Sequence, residues 1–177
     1  MEVQVLLATP FIRNMNCAVV NYEDKYFSDV ANLIARFRVT LQGFKGLIVN
    51  PDYESAKEEL KEYLDEKYPL YVALVDNKVV GYILLRVHYV VWIEHIFVLE
   101  EYRRQGIASL LFDKAEQYSD NLQNDTVFNY VHPNNNVMIS FLKSKGYSVL
   151  NLIEIRKPFN GEKTTTKVKV GDNEFDY

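Results

Sequence analysis

The sequence predicts an α/β domain built on a mixed sheet, with antiparallel strands on its N-terminal side, a parallel pair beyond them and flanking helices. Three observations carry this. Phe27, Val30, Ala31, Ile34 and Phe37 lie on a single helical stripe. From Leu70 the pattern changes to β-rich runs, Leu70–Val75, Val79–Val87 and Tyr89–Leu99, the first two separated by the polar turn Asp76-Asn77-Lys78. Ile107, Leu110, Leu111, Ala115 and Tyr118 then return to helical spacing ahead of the run Thr126–Val131, and a strand–helix–strand order implies parallel pairing with a right-handed crossover.

The remaining elements follow in order. Residues 1–16 carry no clear period and read as an extension or short strand. Ala18-Val19-Val20 is a first strand, and the stripe above gives a helix over 26–38. After the glycine-bearing loop Gln42–Pro51, Ser55 and Glu58 form a capping box for a helix that carries Ala56, Leu60, Tyr63, Leu64 and Lys67 on one side and ends before Pro69. The three β-rich runs form sequential antiparallel strands, although the joint near His88-Tyr89 lacks the Gly or Pro of an ordinary turn. A helix from Asn136 to Lys145 stops at Gly146, the place of a left-handed cap, and Tyr147–Arg156 reads as another long strand. Thr165–Val170, Gly171-Asp172-Asn173 and Glu174–Tyr177 suggest a terminal hairpin. The expected organisation is an extension over 1–16, one domain over 17–157 and a C-terminal extension over 158–177.

Composition narrows the function classes. A chain of 177 residues, 48% hydrophobic, 14% aromatic and 25% charged, buries a real core and is neither disordered nor a coiled coil. Its formal charge of −4 offers no summed field for nucleic acid or an anionic bilayer, so neither is an expected partner. One cysteine, Cys17, and three histidines, His88, His95 and His132, show no metal-ligand spacing, so no metal is expected. Met1-Glu2 begins without a basic segment, and Val5–Ala8 is too short for a signal core, so a reducing cytoplasm is expected. Val79–Leu99 has membrane length, but Arg86, Glu94 and two histidines interrupt it, and two adjacent strands explain it better.

The informative segment is Val98-Leu99-Glu100-Glu101-Tyr102-Arg103-Arg104-Gln105-Gly106-Ile107-Ala108-Ser109. A strand here enters a helix through a short turn. Such a turn presents backbone N–H groups at the positive end of the helix, and Gly106 and Ala108 are small enough for a pyrophosphate to approach. It is neither a dinucleotide fingerprint nor a P-loop, since it has one glycine and no following Gly-Lys-Ser/Thr. On these residues alone, an ordinary turn with two solvated arginines is an equal alternative.

The segment resembles the pyrophosphate loop of the GNAT superfamily of acyl-CoA-dependent N-acetyltransferases, Arg/Gln-x-x-Gly-x-Gly/Ala, matched as Arg103-x-x-Gly106-x-Ala108. That family's later motif, Asn-x-x-Ala-x-x-Phe-Tyr-x-x-x-Gly-Phe, is met by Asn135, Met138, Phe141, Leu142, Gly146 and Tyr147 in register, and the element order agrees over 18–156. The resemblance implies that the amides of Arg104, Gln105, Gly106, Ile107, Ala108 and Ser109 hold the pyrophosphate of acetyl-CoA, the cosubstrate. It further implies that the backbone of Ile96 and Val98 pairs with the pantetheine arm, and that Asn135 bonds this arm from the other side. The strand ending at Val98 must then splay from Thr126–Val131.

Acetyl transfer by direct attack needs a neutral amine, so a base must take its proton. Glu94, in Trp92-Ile93-Glu94-His95-Ile96-Phe97-Val98, is the candidate, because a Glu in this register is implicated as base in the polyamine-type branch that the segment is similar to. Alternation would put Glu94 on the side of Trp92 and Ile96 with His95 opposite, unless a bulge shifts the phase. His95 is the weaker candidate for base. Leu142 stands where many members carry a thiolate-protonating tyrosine. Unassisted departure, help from another residue such as Tyr130, or a slow enzyme are the three accounts. Cys17, far upstream, reads as a buried apolar thiol.

The expected activity is N-acetylation of a primary amine on a small molecule or peptide; a non-catalytic acyl-CoA-binding regulatory module and a purely structural domain are the alternatives. The tail hairpin is expected to pack on the sheet or on a second subunit, completing the acceptor pocket or building a homodimer.

Overall fold

The computed structural model describes residues 16–158, 160, 161, 164 and 166–176. The expectation for residues 1–15 and the outermost residues of the hairpin, Thr165 and Tyr177, lie outside the described residues. The chain divides into two compact units, Met1–Ile139 and Ser140–Tyr177.

The first unit holds a five-stranded sheet of order β1-β2-β3-β4-β5. Its strands are β1 (Cys17–Asn21), β2 (Leu70–Val75), β3 (Lys78–Val87), β4 (Val91–Val98) and β5 (Val127–Asn129). β1 to β4 pair antiparallel, and β5 joins β4 in parallel, the mixed sheet read from the sequence. The β2–β3 hairpin turns on Asp76 and Asn77, both left-handed at φ 48° and 62°, which short polar side chains tolerate and a two-residue turn of this hand requires. β4 begins at Val91, after a bend in which His88 N–H donates to Val90 O at 3.3 Å, not at Tyr89.

Helices α1 (Phe27–Phe44) and α2 (Tyr53–Asp65) cover one face, burying Val30, Leu33, Ile34 and Leu60 with Val72, Tyr82, Leu84 and Phe97 of the sheet. α1 runs six residues past the expected end. Gly43, which reads as a loop residue, lies inside the helix, and the chain leaves it at Gly46, where φ is 73°. α2 is capped by Asp52, whose carboxylate accepts from Ser55 N–H at 3.0 Å, so the expected cap residue is the acceptor's partner and the helix starts earlier.

α3 (Ile107–Asn121) covers the opposite face. Gly81 precedes Tyr82 on β3 and therefore faces the other side. A Cβ there would lie 2.8 Å from Phe97 O and 3.4 Å from Leu111 of α3, so only glycine admits this approach of strand and helix. No helix among the described residues is long and apolar enough to cross a membrane.

α4 (Asn136–Ser144) runs across the division between the units. It ends as expected, with Gly146 left-handed at φ 90° and Tyr147 N–H donating to Leu142 O at 3.0 Å. The expected strand Tyr147–Arg156 is not formed. These residues join no ladder among the described strands, and Val149, Leu150, Leu152 and Ile155 are exposed. β-propensity records how a side chain fits a pleated, half-buried surface, and without a neighbouring strand it does not fix the backbone. The hairpin is present as β6 (Lys167–Val170) and β7 (Asn173–Asp176), a two-stranded sheet turning at Gly171.

Candidate active site

β4 has two unlike edges. Its ladder with β3 runs its whole length, whereas its ladder with β5 covers only Val91–Ile93, opposite Val127–Asn129. Leu99 N–H donates to Val80 O at 2.9 Å, so position 99 turns its backbone groups towards β3. Successive residues alternate, which turns the N–H and C=O of Val98 and Ile96 outward, past the end of β5. Pairing within the parallel pair therefore stops after Ile93, where the expected splay would begin.

Beyond Val98 a short 3₁₀ turn, Glu100–Tyr102, leads into Arg103, Arg104, Gln105 and Gly106. Arg104 and Gly106 are left-handed at φ 62° and 82°. Gly106 caps α3 without a side chain, and the first helical bond is Leu110 N–H to Gly106 O at 3.1 Å. The N–H groups of Ile107, Ala108 and Ser109 precede that bond and have no acceptor within the helix. No acidic residue stands in the first turn to neutralise them, and a Cβ on Gly106 would meet open space. Arg103 and Gln105 serve the turn itself. Arg103 Nε donates to Val98 O at 2.9 Å with its guanidinium 5.5 Å from the Phe97 ring centre, and Gln105 Nε2 donates to Glu101 O at 3.1 Å. A cleft of about 280 Å³ opens alongside, lined by Arg36, Thr40, Glu100 and Arg103 among others.

Glu94 sits where β4 departs from regular pairing. Ile93 pairs with Leu85 and His95 with Leu84, so Glu94 is the extra residue of a β-bulge. The bulge changes the alternation expected from the sequence. Leu84 and Leu85 face opposite ways, hence so do His95 and Ile93. Trp92, opposite Arg86, shares the helix-covered face with His95, while Ile96 faces α3. Glu94 Oε2 lies 3.2 Å from Arg86 Nε, an ion pair whose angle is not that of a hydrogen bond, so both atoms lack a hydrogen-bond partner.

His95, one residue on, is sealed. Only 2% exposed, it lies among Arg38 of α1, Glu59 and Tyr63 of α2, and Tyr82 of β3. Nε2 is 3.2 Å from Arg38 Nη2 and Nδ1 is 3.1 Å from the Tyr82 hydroxyl. Arg38 can only donate, so Nε2 accepts and the neutral ring carries its proton on Nδ1. Burial, aided by the Arg38 charge, pushes the His95 pKa down to about 3. Glu59 closes the cluster, paired to Arg38 and accepting from the Tyr63 hydroxyl at 2.8 Å. Burial and the carboxylate of Glu59 raise the phenol of Tyr63, which stays protonated.

Trp92 stacks on Tyr130 with ring centres 4.5 Å apart and packs against Phe128 at 4.9 Å. Asn135 caps α4, its side-chain oxygen accepting from Met138 N–H at 3.1 Å. Leu142 is buried and apolar. Cys17 is on β1, separated from β4 by two strands, and burial raises its thiol pKa, which disfavours the thiolate. Sequence reading missed Arg86, Arg38, Glu59, Tyr63 and Tyr82 as companions of Glu94 and His95. Arg86 had a signal, a charge inside an apolar strand. The others are joined only by tertiary packing.

A family model described as the acetyltransferase (GNAT) family matches residues 35–147. No curated protein matches the sequence. Among solved structures, the chain is similar to the aminoglycoside N-acetyltransferase AAC(6')-Iy in complex with CoA, at 18% identity and a TM-score of 0.65 over 85% of this chain and 99% of that one. A possible acetyltransferase from Clostridium difficile 630 matches at 19% identity and 0.66 over 81% and 98%. An aminoglycoside acetyltransferase from an uncultured soil metagenomic sample, in complex with sisomicin, matches at 20% identity and 0.60 over 81% and 96%. At these identities the likeness is one of fold.

Proposed function

Because the chain belongs to the acetyltransferase (GNAT) family, we propose that it transfers an acetyl group from acetyl-CoA to a primary amine by direct attack. The observation that carries this reading is the half-used edge of β4. Its outward groups at Ile96 and Val98 are free of β5 and lead straight to the uncapped amides of α3. The pantetheine arm is assigned to that edge, through Ile96 N–H and C=O and Val98 N–H, since Arg103 already takes Val98 O. The pyrophosphate is assigned to the amides from Arg104 to Ser109, at the positive end of the α3 dipole. Asn135, whose side-chain oxygen caps α4, contributes to the arm through its amide N–H₂.

Glu94 is assigned as base. The bulge takes it out of the regular ladder at the point where the slot opens, so its carboxylate can accept the proton of an amine approaching the thioester. The nitrogen forms a bond to the carbonyl carbon, the carbon–sulfur bond breaks, and the sulfur leaves as thiolate. A thiol with a pKa of about 8.5 leaves without obligatory protonation, which suits Leu142 at the position of the usual acid. Neutral His95, enclosed on all sides, is assigned a structural part. Residues 17–157 are taken as the catalytic domain, and the cytoplasm as its compartment. A second reading, an acyl-CoA-binding regulatory module, draws on Leu142 alone.

Isothermal titration with acetyl-CoA and thiol release with an amine panel test both. Binding with release supports the enzyme, binding without release with any amine supports the module, and absence of binding refutes both.

A further inference from the structure

We propose that Arg86 and Glu94 together form a receptor for the zwitterionic head of a free α-amino acid, which makes such amino acids, rather than polycations, the preferred acceptors. This rests on the acetyltransferase reading and names its substrate class. Arg86 of β3 and Glu94 of the bulge set opposite charges 3.2 Å apart on the face that also carries Trp92. They do not satisfy each other. Neither Nε nor Oε2 has a hydrogen bond, and the two side chains keep 30% and 26% of their exposure through their other atoms. Because the contacting atoms form no hydrogen bond, a ligand that draws the pair apart breaks none.

An α-amino acid bears its ammonium and its carboxylate on adjacent carbons, the same two charges in the complementary order. Its carboxylate fits the guanidinium, whose planar fork suits carboxylates, and its ammonium fits Glu94. Exchange of partners also prepares the reaction. While Arg86 lies against Glu94 the two charges face each other; once the acceptor's own carboxylate engages Arg86, Glu94 is left to take the amine's proton. A polycation brings like charge to Arg86 and gains no such exchange. The stacked pair of Trp92 and the 60% exposed Tyr130 supplies apolar surface on that face for an amino-acid side chain.

The test measures thiol release from acetyl-CoA by the full chain with L-phenylalanine, L-methionine and L-glutamate, with the amide of each, and with sisomicin as polycation. The expected result is a kcat/KM for at least one amino acid about tenfold to a hundredfold above that of its amide, the loss of one charged hydrogen-bond partner. In Arg86→Gln this ratio should fall towards one, mainly through the KM of the amino acid, and Arg86→Lys should restore part of it. Amides or sisomicin outperforming every amino acid overturns the proposal whether or not the variants fold. A ratio unchanged in a folded Arg86→Gln does the same. Acetyl-CoA binding with no release from any amine overturns the enzyme reading, and this inference with it.

Discussion

Glu94 and His95 are neighbours on one strand, yet the molecule treats them in opposite ways. His95 is enclosed by four polar side chains from three elements, and each ring nitrogen has a partner. Glu94 is offset by a bulge, paired at a poor angle with Arg86 and open on one side. The same contrast separates the two edges of β4, one fully laddered and one left free after three residues. Saturated polar groups hold a fold together, since each missing partner would cost about 1–3 kcal/mol. Groups left with unused hydrogen-bonding capacity at the end of a strand are the ones a ligand can satisfy. On this view chemistry belongs to the open set and stability to the closed one, and the two respond differently to substitution.

The largest separation is expected at Glu94. Glu94→Gln should lower kcat by about 10²–10⁴, with the deficit shrinking at high pH where free amine is abundant. Its melting temperature should change little, because glutamine keeps the shape and an acceptor oxygen beside Arg86, and the pair it replaces has no hydrogen bond to lose. Unchanged rates across the pH range would remove Glu94 from the open set. Gly106→Val comes next. Valine at φ 82° is strained by about 1–3 kcal/mol and places its branch beside the amides assigned to the pyrophosphate, so acetyl-CoA affinity measured by titration should fall more than stability does. Parent-like affinity would relocate the cradle.

How far the sequence foretold each set follows from range. Leu70–Val75 was readable to the residue, and the left-handed glycines at 106 and 146 were readable as a helix start and a helix stop, because turn chemistry and periodicity are local. α1 outran its reading because Thr40, Gln42 and Gly43 weaken the stripe before the real stop at Gly46. The bulge was invisible in one strand, since it exists only as a mismatch between Leu84/Leu85 and β4. It put Trp92 and His95 on one face, where alternation separates them, and sent Ile96 to the other. The closed cluster was the least legible: Arg38 stands 21 positions from Glu59 and 57 from His95, and no local pattern joins them. Tyr147–Arg156 failed in the other direction, a strong local pattern without a partner.

His95 tests the closed set by pH. Its folded pKa of about 3 lies below the ordinary 6.5, so between these values the unfolded chain binds a proton that the folded ring refuses. Its contribution is therefore complete above about pH 6.5 and is lost as the pH falls towards 3, at up to about 1.4 kcal/mol per unit. Arg38, Glu59, Tyr63 and Tyr82 face the ring, so subtracting the denaturation profile of His95→Gln should isolate this slope. Equal slopes in parent and variant would mean that the ring takes up its proton in the folded state.

The smallest effect is expected at Tyr63, and it probes the border between the two sets. Its hydroxyl donates to Glu59 at 2.8 Å and stands 3.3 Å from Arg38, within the closed cluster, while the charge of Glu94 acts on the same phenol. Tyr63→Phe removes one donor and leaves Glu59 paired with Arg38, so stability should fall by about 1 kcal/mol. For a chain of this size that is a melting shift of about 2–4 °C. If the cluster serves only the fold, kcat and its pH profile remain those of the parent, because phenylalanine fills the same space and leaves the bulge in place. A parent-like melting temperature combined with a displaced pH profile would show that Tyr63 acts on Glu94, and the division drawn between neighbouring residues of β4 would have to be moved outward to include α2.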